Sequence, residues 1–137
     1  MLITGGCLCK AVRYEIAAPP LVTRFCWCRV CQYFATGNAA VSAAFAKSAI
    51  KVTGEPRDYR GVADSGSIMH RGFCSVCGTH MFSEAEQRPH VVFVRAGTLD
   101  DPELAQPSAT IWTASAPSWA CIDESLPRID GQPPPVA

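Results

Sequence analysis

Apolar and polar side chains alternate along much of this chain. Between residues 8 and 16, Val12, Tyr14 and Ile16 face one way while Arg13 and Glu15 face the other. That is the period-two signature of a half-buried strand. Ala18-Pro19-Pro20 breaks it, and 21–25 reads as a second short strand leading into a cysteine-rich knuckle. The run 32–36 is read as a single helical turn ended by Gly37-Asn38, whereas 39–44 fits strand or helix equally. Residues 45–49 read as another turn. Ile50-Lys51-Val52 alternates again, Tyr59-Arg60 starts a further short strand, and 63–67 is a turn.

The run 67–74 leads into a second knuckle, and 79–83 leaves it as a strand. Val91-Val92-Phe93-Val94 is the most strand-like run of all and is predicted to be central. A turn over 97–102 and a last strand over 110–113 follow. With 11 prolines and 10 glycines in 137 residues, and no amphipathic helix of useful length, the pattern predicts a mainly β fold. Its strands should be short and antiparallel, with few helical turns. Residues 1–126 are expected to form one domain. The Pro-rich tail 127–137, with Gly131 and Pro133-Pro134-Pro135, is expected to lack regular structure and lie on the surface or fray.

Charge narrows the function. Lysine plus arginine equals aspartate plus glutamate at 12 each, so nothing electrostatic favours nucleic acid or acidic membranes as partners. No stretch approaches the roughly 18 apolar residues that a membrane span needs. The first six residues lack the basic and apolar runs of an export signal, which points to a cytoplasmic protein with reduced thiols. A homodimer is compatible with a chain of this kind.

Cysteine changes the picture most. Seven of the eight fall into short clusters: Cys7-Leu8-Cys9, Cys26-Trp27-Cys28-Arg29-Val30-Cys31 and Cys74-Ser75-Val76-Cys77. Such spacings turn thiols toward a shared ion rather than toward separate disulfides. The expected division is four plus three. Cys7, Cys9, Cys74 and Cys77 would close a structural zinc site, and Cys26, Cys28 and Cys31 would hold a second zinc with one open position. Pairing Cys26 or Cys28 with Cys74 and Cys77 is an alternative. So is a fourth ligand for the second zinc from His70, His80, His90 or Cys121, which would make that site structural too. An iron–sulfur cluster fits the spacing poorly. Gly5-Gly6 is read as a tight turn that aims backbone N–H groups at the sulfurs, and Gly78 as the left-handed residue closing its knuckle.

These clusters, with Arg71-Gly72-Phe73 before the last and Gly78-Thr79 after it, resemble the glutathione-dependent formaldehyde-activating family, also called the CENP-V/GFA family. The stretches 97–102, 111–113 and 117–119 resemble its later signatures. The resemblance implies a small zinc-stabilised, Mss4-like β fold with two Zn²⁺ per chain. Cys7, Cys9, Cys74 and Cys77 match its structural zinc ligands, and Cys26, Cys28 and Cys31 match those of its second, catalytic zinc. It implies a carbon–sulfur lyase-type reaction joining glutathione and formaldehyde into S-hydroxymethylglutathione, with glutathione or its adduct as partner. Two departures stand out. Trp27 sits where the family often has histidine and cannot act as a base near neutral pH, although it would supply an apolar wall and an N–H donor. Lys10 replaces a frequent glycine.

For substrate contacts, Arg29 inside the knuckle is the first cationic candidate, followed by Arg71 and Lys10. Gln32, Tyr33 and Thr36 are candidates for hydrogen-bonding a peptide-like ligand, and His80 for donating a proton. Trp112 and Trp119 are expected to bury against the sheet, and Cys121 to be a buried apolar thiol. Two other readings remain in play: a non-catalytic zinc-stabilised binding module, and a redox enzyme like methionine sulfoxide reductase B, which needs a metal-free activated cysteine.

Overall fold

The computed structural model describes residues 1–136. The chain runs through β1 (Ile3–Gly6), β2 (Arg13–Ile16), β3 (Val22–Cys26), the short helix α1 (Arg29–Phe34), β4 (Ala40–Ala46), β5 (Ile50–Thr53) and β6 (Arg57–Val62). It continues through β7 (Ile68–Phe73), β8 (His80–Ala85), β9 (Val91–Arg95), β10 (Ala109–Ile111) and β11 (Arg128–Ile129). The mainly β expectation holds. A three-stranded sheet has the order β1-β2-β5, and an eight-stranded sheet has the order β11-β10-β3-β4-β9-β8-β7-β6. Alternation proved a good guide to the strands, and β9 does lie near the middle of the larger sheet.

Two expectations about strand pairing are corrected. Most neighbours pair antiparallel, but β10 pairs parallel with both β3 and β11. β9 and β3 both run opposite to β4. A strand parallel to β3 therefore has to be reached by a crossover rather than a hairpin, and 96–108 supplies it with two short 3₁₀ turns. The second correction concerns the end of the chain. Arg128 and Ile129 pair with Thr110 and Ile111, so the segment after Pro127 extends the sheet. Proline bars hydrogen bonding only at its own nitrogen, and the two residues after Pro127 are free to pair.

The core lies between the sheets. Val12, Tyr14 and Ile16 are buried together with Ile3, Phe45, Met81, Val92 and Val94. The Tyr14 ring meets Phe82 edge-on at 5.5 Å, and its hydroxyl shares a 2.8 Å hydrogen bond with Thr98 Oγ1. Burial pushes the Tyr14 phenol up to about 12. Gly5 lies inside β1 without positive φ, so it does not form the expected turn. A Cβ there would strike the Tyr14 hydroxyl and the Thr98 carbonyl oxygen. Glycine is required by close approach, and the turning is done one knuckle later by Lys10 at φ 68°. Among the described residues, no helix is long and apolar enough to cross a membrane.

On β7, His70 places Nδ1 2.7 Å from Asp58 and Nε2 2.7 Å from Glu86. Facing carboxylates on both sides, the ring binds its second proton more readily, which raises its pKa above 6.5, first through Asp58 and then Glu86. A raised folded value means that this stabilisation is complete below about 6.5 and is lost as pH climbs through the raised value.

Two outcomes are expected. Gly5→Ala should cost about 1–3 kcal/mol by overpacking, read as a lowered midpoint in urea unfolding; an unchanged midpoint would refute the close-approach role. His70→Gln should flatten the decline in stability above pH 6.5, measured by melting temperature against pH. An identical pH profile in both proteins would refute the pairing.

Candidate metal centres and their cavity

The first sulfur cluster joins distant parts of the chain. Cys7 follows β1, and the turn to Lys10 is closed by Lys10 N–H donating to the Cys7 carbonyl at 3.1 Å. Cys74 and Cys77 lie in the turn between β7 and β8, where Gly78 adopts φ 77° as expected and donates to the Cys74 carbonyl at 2.9 Å. Backbone N–H groups point at sulfur: Val12 at Cys7 Sγ, 3.3 Å, and Val76 at Cys74 Sγ, 3.4 Å. Thr79 supports both arms, accepting from Leu8 N–H at 3.2 Å and lying 3.1 Å from Cys77 Sγ. That hydroxyl, followed by backbone N–H groups, brings the Cys77 thiol down to about 5.

All four sulfurs lie within 4.8 Å of one another, and Cys7–Cys9 and Cys9–Cys74 are each 3.7 Å apart. Sulfur at ~2.3 Å from a tetrahedral ion gives edges of ~3.8 Å. The four thiols therefore fit a metal ion, and they do so although Cys9 and Cys74 stand 65 positions apart in the sequence.

The second cluster is built differently. Cys26 ends β3, while Cys28 caps α1 by accepting from Cys31 N–H at 3.3 Å. Their three sulfurs again lie within 4.8 Å of one another. Among the described residues, no histidine, carboxylate or further cysteine completes this group, so Cys121 and the three histidines stay outside it, and no sulfur is shared with the first cluster. The Cys31 thiol is lowered to about 2, first by hydrogen bonding to Cys26 and Cys28 and then by the charges of Arg95 and Arg71.

Cys26, Cys28 and Cys31 face a cavity of about 240 Å³. Its floor is the outward face of the eight-stranded sheet. Arg24, Ser42 and Arg95 form one cross-strand row, and Arg71, Ser83 and Phe93 form the next. Met69 and Trp112 add apolar walls. The 63–67 turn forms one rim, and Gln132, Pro133, Pro135 and Val136 of the C-terminal segment form another. Trp112, in the left-handed conformation at φ 57°, donates from Nε1 to Gln132 Oε1 at 3.0 Å. Its N–H donates to the Gly131 carbonyl at 3.3 Å. A larger groove of about 610 Å³ lies on the opposite face beside Val52, His70 and Phe82. It contains no cysteine, which leaves the smaller cavity as the candidate site.

Four arginines line that cavity, with Asp64 as the acidic side chain among the described lining residues. Arg71 is 4% exposed, and burial lowers its pKa. Arg95 donates to Ser42 Oγ at 2.6 Å and Ser83 Oγ at 3.1 Å. The Nε atoms of both are buried without a hydrogen-bond partner.

Of the cations expected near the site, Arg71 reaches the cavity; Arg29 and Lys10 are exposed and do not line it. Arg29 stacks over Tyr33 at 5.2 Å and reaches Gln32 Oε1 at 2.5 Å. Gln32 is buried, and its Nε2 donates to the carbonyls of Trp27 and Ser115. Both side chains brace the knuckle, and neither they nor Tyr33 and Thr36 line the cavity. His80 packs on Phe34 at 4.4 Å. Burial, then Arg95 and Arg71, lowers it to about 3, so it is neutral near pH 7 and is no cationic proton donor. Trp27 is buried and Trp119 is 67% exposed; the indole that reaches the cavity is Trp112. Cys121 is exposed, contrary to expectation, because the loop 116–127 runs outside both sheets.

A sequence profile described as glutathione-dependent formaldehyde-activating enzyme matches residues 2–115. A Halomonas elongata protein named "Putative glutathione-dependent formaldehyde-activating enzyme" is 27% identical over 130 residues, covering 90% of this chain and 82% of the relative. A crystal structure of a Rhodobacter sphaeroides protein superposes with a TM-score of 0.57 at 22% identity. That match covers 76% of this chain and 96% of the other, and it shows likeness of fold alone.

The two clusters make separable demands on stability. Ion binding at a structural four-thiolate site in a small domain is worth on the order of 10 kcal/mol, as much as the roughly 5–15 kcal/mol that holds a domain folded. Cys74→Ser is therefore expected to leave the protein largely unfolded by circular dichroism. Cys28→Ser should keep the native spectrum while bound metal falls from two ions per chain to one. A Cys28→Ser protein with unchanged metal content would refute the second centre.

Proposed function

Since the chain belongs to the glutathione-dependent formaldehyde-activating enzyme family, we propose that it is a zinc-dependent carbon–sulfur lyase-type enzyme. In this reading it interconverts a thiol plus formaldehyde with the hydroxymethyl thioether, as an S-(hydroxymethyl)glutathione synthase does. The observation that carries it is the contrast between the two clusters. One has four sulfurs, complete as a ligand set; the other has three and opens onto a lined cavity. Closed sites are structural and open ones are where chemistry occurs. Soft thiolate donors favour zinc.

Cys7, Cys9, Cys74 and Cys77 hold the structural zinc. Cys26, Cys28 and Cys31 hold the second, whose chemistry when bound is to keep an incoming thiol as its thiolate. Residues 1–126 serve as the single zinc domain, with the segment from 127 as its cavity-side extension. The protein works in the cytoplasm on a small thiol such as glutathione, without nucleic-acid or membrane partners.

The reaction balances simply. The thiol gives up its proton, and its sulfur lone pair forms a bond to the formaldehyde carbon. The carbon–oxygen π pair moves onto oxygen, which takes up a proton. The reverse breaks the carbon–sulfur bond and returns that pair to sulfur. This chain contributes placement. Met69, Phe93 and Trp112 give the cavity apolar walls, and fixing thiol and carbonyl side by side turns a two-body encounter into a positioned one. Arg71 and Arg95, whose charges act on Cys31, favour anionic sulfur there. Trp27 is buried away from the cavity, so it takes no part in proton transfer. The proton lost by sulfur and the one gained by oxygen are exchanged with water at the mouth.

Exchange NMR with ¹³C-formaldehyde and glutathione tests this reading. The wild-type protein should speed interconversion at least tenfold over buffer, and Cys28→Ser should return it to the buffer rate. A wild-type rate equal to buffer would refute the enzyme and favour a zinc-stabilised binding module.

A further inference from the structure

The cavity holds more positive charge than its sulfurs can offset. A divalent ion on three thiolates carries a net charge of −1, which balances one guanidinium. Yet Arg24, Arg71, Arg88 and Arg95 all line the space. None of the four forms an ion pair among the described residues; the salt bridges lie elsewhere, at Arg13, Lys47, Arg60 and His70. Asp64 sits on the rim, and its Oδ2 already accepts from the Arg29 N–H at 2.9 Å.

Arg71 is the sharpest case. It is 96% buried and its Nε has no partner. A charge taken out of water without an opposite charge is costly, and a guanidinium matches a planar carboxylate with two parallel hydrogen bonds. Arg95 is held in place by two neutral serine hydroxyls, which leave its charge uncompensated.

Position and size narrow the class of ligand. Arg71 and Arg95 line the same cavity as Cys26, Cys28 and Cys31, so an anion bound by the two guanidinium groups shares that small space with any thiol seated at the sulfurs. The space is about 240 Å³, below the roughly 300–1,000 Å³ of sites that enclose a drug-sized ligand. The C-terminal segment limits it, with Pro133 buried against the cavity and Gln132 tied to Trp112.

We propose that the substrate is a compact thiol carrying a carboxylate on the same short carbon skeleton, together with its carbonyl adduct. Arg71 and Arg95 bind the carboxylate while the sulfur faces Cys26, Cys28 and Cys31. This rests on the thiol reading given above and names the chemical class that the site selects. The tripeptide glutathione belongs to the same chemistry, but part of it has to project through the mouth.

Calorimetry on the protein purified with its metal tests the assignment. The probes are mercaptoacetate, its neutral isostere mercaptoacetamide, and glutathione. Mercaptoacetate should bind roughly 10- to 100-fold more tightly than mercaptoacetamide, the gain expected for hydrogen bonds to a charged group, and more tightly than glutathione. Arg71→Gln should abolish the preference for the carboxylate over the amide, bringing the two small thiols to comparable affinity. The half-buried Arg95→Gln should reduce the preference and serves if the first variant fails to fold; the wild-type comparison needs no variant. Equal affinity for the two small thiols would overturn this proposal and leave the thiol reading standing. Tighter binding of glutathione than of mercaptoacetate would overturn the size limit. Binding of neither small thiol nor glutathione would overturn both proposals.

Discussion

Two pieces of chain separated by 65 residues have to bring their sulfurs within a few ångströms. Everything else in the fold is compatible with that requirement. Cys7 and Cys9 leave the end of the small sheet, and Cys74 and Cys77 form the tip of the β7–β8 hairpin. Joining them clamps one sheet against the other along the core that contains Tyr14 and Phe82. Short strands and many turns make a thin core, so a point of convergence of this kind matters more here than in a larger domain. Gly5 shows the tightness of the fit, since no side chain has room between β1, the Tyr14 ring and the 96–98 turn.

The clamp also determines what the second face of the large sheet can do. With one face committed to the core, the other is free to present every second side chain, polar or apolar, to the cavity. Arg24 and Cys26 on β3, Met69 and Arg71 on β7, and Phe93 and Arg95 on β9 all follow this rule. The second sulfur cluster rises from the end of β3 onto that same face. The candidate site thus lies on the back of the scaffold, next to the sheet, with α1 and two loops around it.

The cysteine framework and most strands were legible in the sequence because both are local signals. Sulfur spacing dictates which thiols can share an ion, and alternation dictates which side chains are buried together, as Val12, Tyr14 and Ile16 are. What was not legible depended on pairing across the sheet. Arg29, Gln32 and Tyr33 stand beside the cysteines in sequence, but α1 turns them away from the cavity. Arg24 and Arg95 are 71 residues apart in sequence and meet only through Ser42 between them. The parity of Arg24 with Cys26 was a usable clue, because i and i+2 share a strand face. The Arg at the end of the Val-Val-Phe-Val run was another. The parallel pairing of β11 had no local signature, since the prolines around it hide a two-residue strand.

The parallel ladder of β10 and β11 orders events during synthesis. Every sulfur of both clusters has been made once Cys77 has left the ribosome. The wall formed by Gln132, Pro133 and Val136 emerges 55 or more residues later. All seven thiols are therefore present while the chain is still growing, before the chamber in front of Cys26, Cys28 and Cys31 is enclosed. An ion reaching Cys26, Cys28 and Cys31 in a nascent chain would pass through an opening that the finished protein has narrowed.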